Sequence, residues 1–129
     1  MPKAINWSEN FYDEVIAEKN DEEVIAIRPG SLYFDNAYYV KGDPVEIRVG
    51  GNIVRRGIIS QEMQLMTIDQ LSDELLAKYK STLRQKADVL SFISEYYKVD
   101  TALNSIVTVV FYKNLPLIER IEIDDPHLC

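Results

Sequence analysis

The sequence predicts a mixed α/β domain of the α+β kind: a small, largely antiparallel β-barrel with an N-terminal helix and a two-helix insert. Three observations predict it. Val45, Ile47 and Val49 recur at period two, turn at Gly50-Gly51, and meet an apolar return strand over residues 52–59. Residues 106–112, Ile-Val-Thr-Val-Val-Phe-Tyr, form a near-continuous β-branched run, as in a central strand covered on both faces. Between the two, residues 67–98 switch to helical spacing. The order of elements reads αβ-βββ-αα-ββ, with no repeat, low-complexity tract or internal linker.

Each element has a local reason. Ile5-Asn6-Trp7 reads as a short edge strand. Ser8 is a good N-cap and Glu9 suits the positive end of a helix dipole, so a helix is expected to about Lys19, with Phe11, Val15, Tyr12 and Ile16 in adjoining rows. Asn20-Asp21 ends it. Residues 22–28 read as a strand, with β-branched Val24, Ile25 and Ile27, and Arg28 is held extended by Pro29. A tyrosine-rich loop follows over residues 31–40. Lys41-Gly42-Asp43-Pro44 is a turn signal, with Pro44 suited to open a strand. The return strand changes phase, which predicts a twisted edge or a bulge near Gly57. Thr67 and Gln70 have the spacing of a capping box, and the segment 82–85 repeats it. The second insert helix carries Leu83, Ala87, Leu90 and Ile93 on one stripe, with Phe92, Tyr96 and Tyr97 beside it, and ends near Lys98. A last, more exposed strand is expected over 117–123, then an acidic tail over 124–129.

At 129 residues the chain is one domain by length, residues 1–129. A domain of this size buries roughly two-thirds of its unfolded surface, enough for a core without metal or disulfide. The single cysteine, Cys129, excludes an internal disulfide and a cysteine-based zinc site. That fits a cytoplasmic protein. No apolar run has signal or membrane-spanning length, so no membrane span is expected.

The formal net charge of −7 argues against broad, non-specific nucleic-acid binding, which needs a basic surface. The charge is uneven. Residues 8–25 hold seven acids and one base; residues 41–56 hold four bases and two acids. A local basic face is therefore compatible with an acidic whole. The lone histidine, His127, lies in the tail, which disfavours histidine triads and most zinc sites. No glycine-rich phosphate loop occurs, and neither a cofactor nor a metal is expected.

The candidate ligand residues are Arg28, Lys41, Arg48 and Arg55, with Tyr33, Tyr38 and Tyr39 from the loop. Three of the eight tyrosines fall in that loop. Their alternatives are to plug a barrel end or to offer a stacking face for a base. Arg28 has its own alternative, a structural ion pair with Glu22, Asp43 or Glu46. Adjacent strand residues face opposite ways, so at most one of Arg55 and Arg56 shares a site.

The pieces together resemble the ASCH domain, a branch of the PUA-like β-barrel superfamily. They are the 7–19 helix with Phe11 and Ile16, then Ile27-Arg28, Tyr39-x-x-Gly42-Asp43-x-Val45, Gly57-Ile58, the 67–76 helical segment and the 106–112 strand. The resemblance implies association with RNA or nucleotide-like ligands in a cleft beside the barrel. It also implies an alternative, since some small bacterial members are amidohydrolases on acetylated cytidine. Their segment reads G-x-K-x-x-E/T-x-R. Aligned on Arg28, this chain has Glu23 at the lysine position and Ala26 at the threonine or glutamate position. Only an insertion would let Lys19 serve as that lysine. Hydrolysis is therefore the second expectation and binding the first. A third is a protein-interaction domain using the acidic face of Glu9, Asp13, Glu14 and Glu18.

Overall fold

The computed structural model describes residues 3–116. The strand expected at 117–123 and the tail at 124–129 lie outside the described residues. Five strands form one sheet: β1 (Lys3–Trp7), β2 (Glu23–Pro29), β3 (Pro44–Val49), β4 (Asn52–Thr67) and β5 (Ile106–Asn114). Their order is β1-β3-β4-β5-β2. Only β1 and β3 run parallel; the other neighbours are antiparallel. The expected barrel is thus a curled half-barrel whose two edges, among the described residues, are β1 and β2.

The long strand β4 shapes that curl. The hairpin return and the segment 60–66 form one strand of 16 residues. Its register slips once against β3 and twice against β5. Each slip adds an unpaired residue, bends the strand and raises its twist. The first slip resolves the mixed phase of the return. Ile47 pairs with Arg55 and Arg48 with Ile53, so Val54 is the extra residue. The bulge falls there and not near Gly57. Gly57 answers a different need, because a Cβ at that position would stand 2.9 Å from the Lys113 carbonyl oxygen. The tight turn before β4 takes Gly50 and Gly51 at φ +57° and +85°, as its sequence predicts.

The helices are shorter than their periodicity predicts. A 3-10 turn (Glu9–Phe11) leads into α1 (Tyr12–Ala17), which stops before Lys19. Ser8 turns its hydroxyl to the Asn10 side chain and does not cap the helix. Phe11 and Val15 are buried as their spacing implies. The aromatic loop contains one helical turn, α2 (Leu32–Asp35). In the insert, the Thr67–Gln70 capping box forms, on a 3-10 turn. Ser72 caps α3 (Asp73–Leu76) by accepting the Leu75 N–H at 3.1 Å. The repeated spacing at 82–85 is not used. Thr82 sits in a separate 3-10 turn (Ser81–Leu83), and α4 (Lys86–Tyr97) starts after Gln85. Lys98 closes α4 at φ +57°. Strand β5 is interior and buried along most of its length, as its unbroken apolar run requires. No helix among the described residues is long and apolar enough to cross a membrane.

Arg55 belongs to the fold and not to a ligand site, which corrects its assignment from the sequence. It is 1% exposed. Its Nη1 donates to the carbonyls of Val15 and Glu18, and its Nη2 to Asn20 Oδ1 and the Leu115 carbonyl. The guanidinium therefore ties the end of α1 to the end of β5. The Val54 bulge is what turns it inward while Arg56 stays in solvent. Replacing Arg55 orphans several buried carbonyls, each at about 1–3 kcal/mol. We expect Arg55→Leu to lower unfolding free energy by about 3 kcal/mol or more. Arg56→Leu should stay within about 0.5 kcal/mol of the parent. Urea denaturation of the two variants checks this, and equal losses would contradict it.

Candidate functional site

Arg28 crosses the opening between β1 and β2. Arg28, near the end of β2, donates from Nη2 to the Asn6 carbonyl of β1 at 2.9 Å and from Nη1 to the Ile27 carbonyl at 3.2 Å. The Trp7 ring lies 5.6 Å from its guanidinium carbon, within cation–π range. Asp43 pairs instead with Lys3 at 2.7 Å, and Glu46 pairs with Arg48. No carboxylate among the described residues forms an ion pair with Arg28. The structural ion pair weighed above is therefore not the role of this arginine.

Arg28 lines an open hollow of about 300 Å³ with Asn6, Pro29, Leu32, Tyr33, Tyr96 and Tyr97. Strand β2 brings the cation, α2 brings Tyr33, and the last turn of α4 brings two more phenols. Tyr96 stacks on Phe92 at 5.3 Å, which orients its ring from below. The wall is thus aromatic, and the charge is single. A second hollow of about 380 Å³ shares Pro29 and continues along Ile93, Asp100, Thr101 and Ser105.

Burial dominates the electrostatics of the surrounding phenols, and the Arg28 charge opposes it. Burial pushes the Tyr39 pKa up to about 12, while the Arg28 charge pulls the other way. Burial raises Tyr97, Tyr79 and Tyr112 as well, again opposed by Arg28. Tyr79 is 3% exposed, and its hydroxyl has no hydrogen-bond partner. It stands as an unused buried donor within the field of Arg28.

The other residues chosen from the sequence divide. Tyr33 joins the hollow. Tyr39 is buried and donates to the Ala4 carbonyl at 2.6 Å, so it plugs the barrel edge. Tyr38 packs edge-on against Tyr39 at 4.8 Å and meets Lys3 on its other side. Lys41 is exposed in the turn before β3, away from the lining of the hollow. Arg48 is occupied by Glu46, its Nε donating at 3.1 Å. Lys19 is exposed past the end of α1. Of the acidic face, Glu14 accepts from the Ser81 backbone and hydroxyl, and Glu18 from Lys80. Those two acids hold the fold together. Among the described residues, no cluster of histidine, cysteine or carboxylates suits a metal ion.

Two groups escaped the sequence reading. Lys80 is fully buried, paired to Glu18 at 2.7 Å and poised 3.8 Å from the Trp7 ring. Burial lowers its pKa, and Glu18 opposes that. Glu23, at the position where the resembling family has lysine, accepts from Lys78 at 2.6 Å, from Ser60 and from Gln61. Ala26 is buried. The adjacent pair Tyr96-Tyr97 at a helix end was the signal for the hollow's wall; it read instead as core.

With this geometry in hand, comparison with known proteins adds the fold. A crystal structure of an Enterococcus faecalis protein, assigned to the family DUF984, is similar at a TM-score of 0.67 and 12% identity. The match covers 98% of this chain and 84% of that one. No family model matches the sequence, and no curated protein does.

The buried phenols make a titration prediction. A phenol whose pKa is raised in the folded state contributes stability that is complete below the unfolded value, near 10. That contribution disappears as pH rises through the folded value, about 12 for Tyr39. We expect about half of the eight tyrosines, Tyr39, Tyr79, Tyr97 and Tyr112, to ionise only above pH 10 and together with alkaline unfolding. Phenolate absorbance followed beside circular dichroism checks this; eight phenols titrating near 10 in folded protein would refute it.

Proposed function

We propose that this chain is an ASCH-type, PUA-like binding module that holds RNA or a nucleotide-like small molecule at the Arg28 hollow. One observation carries the reading: a guanidinium without an ion-pair partner among the described residues faces a hollow walled by Tyr33, Tyr96 and Tyr97. An arginine held by two carbonyls is oriented before the ligand arrives, which lowers the ordering cost of binding. Its remaining donors suit phosphate or a carbonyl edge. The phenols suit a base, at about 1–3 kcal/mol for each stacked ring. The fold shared with the Enterococcus faecalis protein supports the scaffold part of this reading.

A second reading keeps the amidohydrolase on N4-acylated cytidine. It is favoured by the hydroxyl of Ser60 and the amine of Lys78 meeting on Glu23, although neither stands where the resembling segment has its own. Filter binding and fluorescence at low salt, with RNA and mononucleotides, test the first. Arg28→Ala should weaken binding about tenfold or more, the loss expected of a charged hydrogen bond. Its melting curve should stay cooperative. Binding that survives Arg28→Ala sinks the proposal. Acyl release from N4-acylated cytidine that vanishes in Ser60→Ala would put the second reading first.

A further inference from the structure

The Arg28 hollow also says how large its ligand is, an inference that rests on the binding reading above. A guanidinium has five N–H donors. Two of them are taken by the Asn6 and Ile27 carbonyls. One positive charge remains for the ligand, and no lysine or second arginine lines the hollow. The other nearby cations are engaged: Lys3 with Asp43, Arg48 with Glu46, Lys80 with Glu18.

The residues that flank the lining in sequence are unfavourable to a polyanion. Asp35 ends the helical turn that carries Tyr33, Glu95 precedes Tyr96, and Asp100 borders the adjoining hollow; all three are exposed. Lys98 is the one base among these flanking residues. A strand leaving the hollow would run past more acid than base, on a chain of net charge −7. Strand binding gains from neutralising several phosphates in a row. The volume agrees, since about 300 Å³ lies at the small end of ligand pockets.

We propose that this site takes a single nucleotide, not a polynucleotide strand. Its one phosphate lies on Arg28 and its base against Tyr33, Tyr96 and Tyr97.

Calorimetry at low salt with the four ribonucleoside 5′-monophosphates, their nucleosides, and decanucleotides lacking a terminal phosphate tests this. At least one monophosphate should bind tenfold or more tighter than its nucleoside. Its salt dependence should correspond to roughly one neutralised phosphate. The decanucleotide should bind no tighter than the monophosphate. Arg28→Ala should bring monophosphate and nucleoside to equal affinity. Tyr96→Ala, at a residue 49% exposed and so outside the core, should weaken both. A decanucleotide bound tenfold tighter, with a salt slope of several phosphates, overturns the single-nucleotide claim and leaves the Arg28 reading standing. Equal affinity of nucleoside and monophosphate in the parent overturns the phosphate assignment. If nothing binds, both this inference and the reading beneath it fail.

Discussion

An arginine spans the gap where the curled sheet fails to close. Among the described residues, strands β1 and β2 are the two edges of the half-barrel, and Arg28 reaches from one to a backbone carbonyl of the other. Edge strands carry unpaired backbone groups that must be answered somehow. On β2, the Ile25 N–H is answered by the Lys78 carbonyl; on β1, Asn6 is answered by Arg28 and Ala4 by Tyr39. The contact that finishes the scaffold also fixes the charge that faces the hollow. Scaffold and site therefore share one side chain.

The remaining cations sort by burial. Arg55 and Lys80 are sealed inside, and each is surrounded by acceptors: four for Arg55, a carboxylate and a ring face for Lys80. A buried charge left unpaired is costly, so these partners are structural requirements. Lys3 and Arg48 hold half-exposed ion pairs, which stabilise little. Arg28 is the intermediate case. It is held by carbonyls, which orient it without neutralising it. Arg55 is likewise held by carbonyl oxygens, so what separates the ligand cation from the structural one is that Arg28 faces an open hollow while Arg55 is sealed in.

Much of the sheet was legible in the sequence because strand signals are local. The Val45-Ile47-Val49 alternation, the paired glycines, Pro44 at a strand start and the apolar run of β5 all sit where their chemistry implies. The Thr67–Gln70 cap was legible for the same reason. The bulge was foreseen but misplaced, because phase alone does not say which residue is extra. Its true position at Val54 is what buried Arg55, so one register error misassigned one site residue. The site itself was half legible. Pro29 held Arg28 extended, and Tyr33 was in view, but Asn6, Tyr96 and Tyr97 come from distant elements. Lys80 and Lys78 found their partners over 50 residues away, and no local pattern announces that.

The central claim is that Arg28 is a guanidinium fixed at two backbone carbonyls whose charge stays available to the hollow. Nitrogen-detected NMR of the arginine side chains during titration with a nucleoside monophosphate tests it most directly. The Arg28 resonances should already be rigid in free protein and should shift on titration, while those of Arg55 stay rigid and unmoved. A shift at Arg48 or Arg56 with Arg28 silent, or a freely rotating Arg28 in the free protein, would contradict the account.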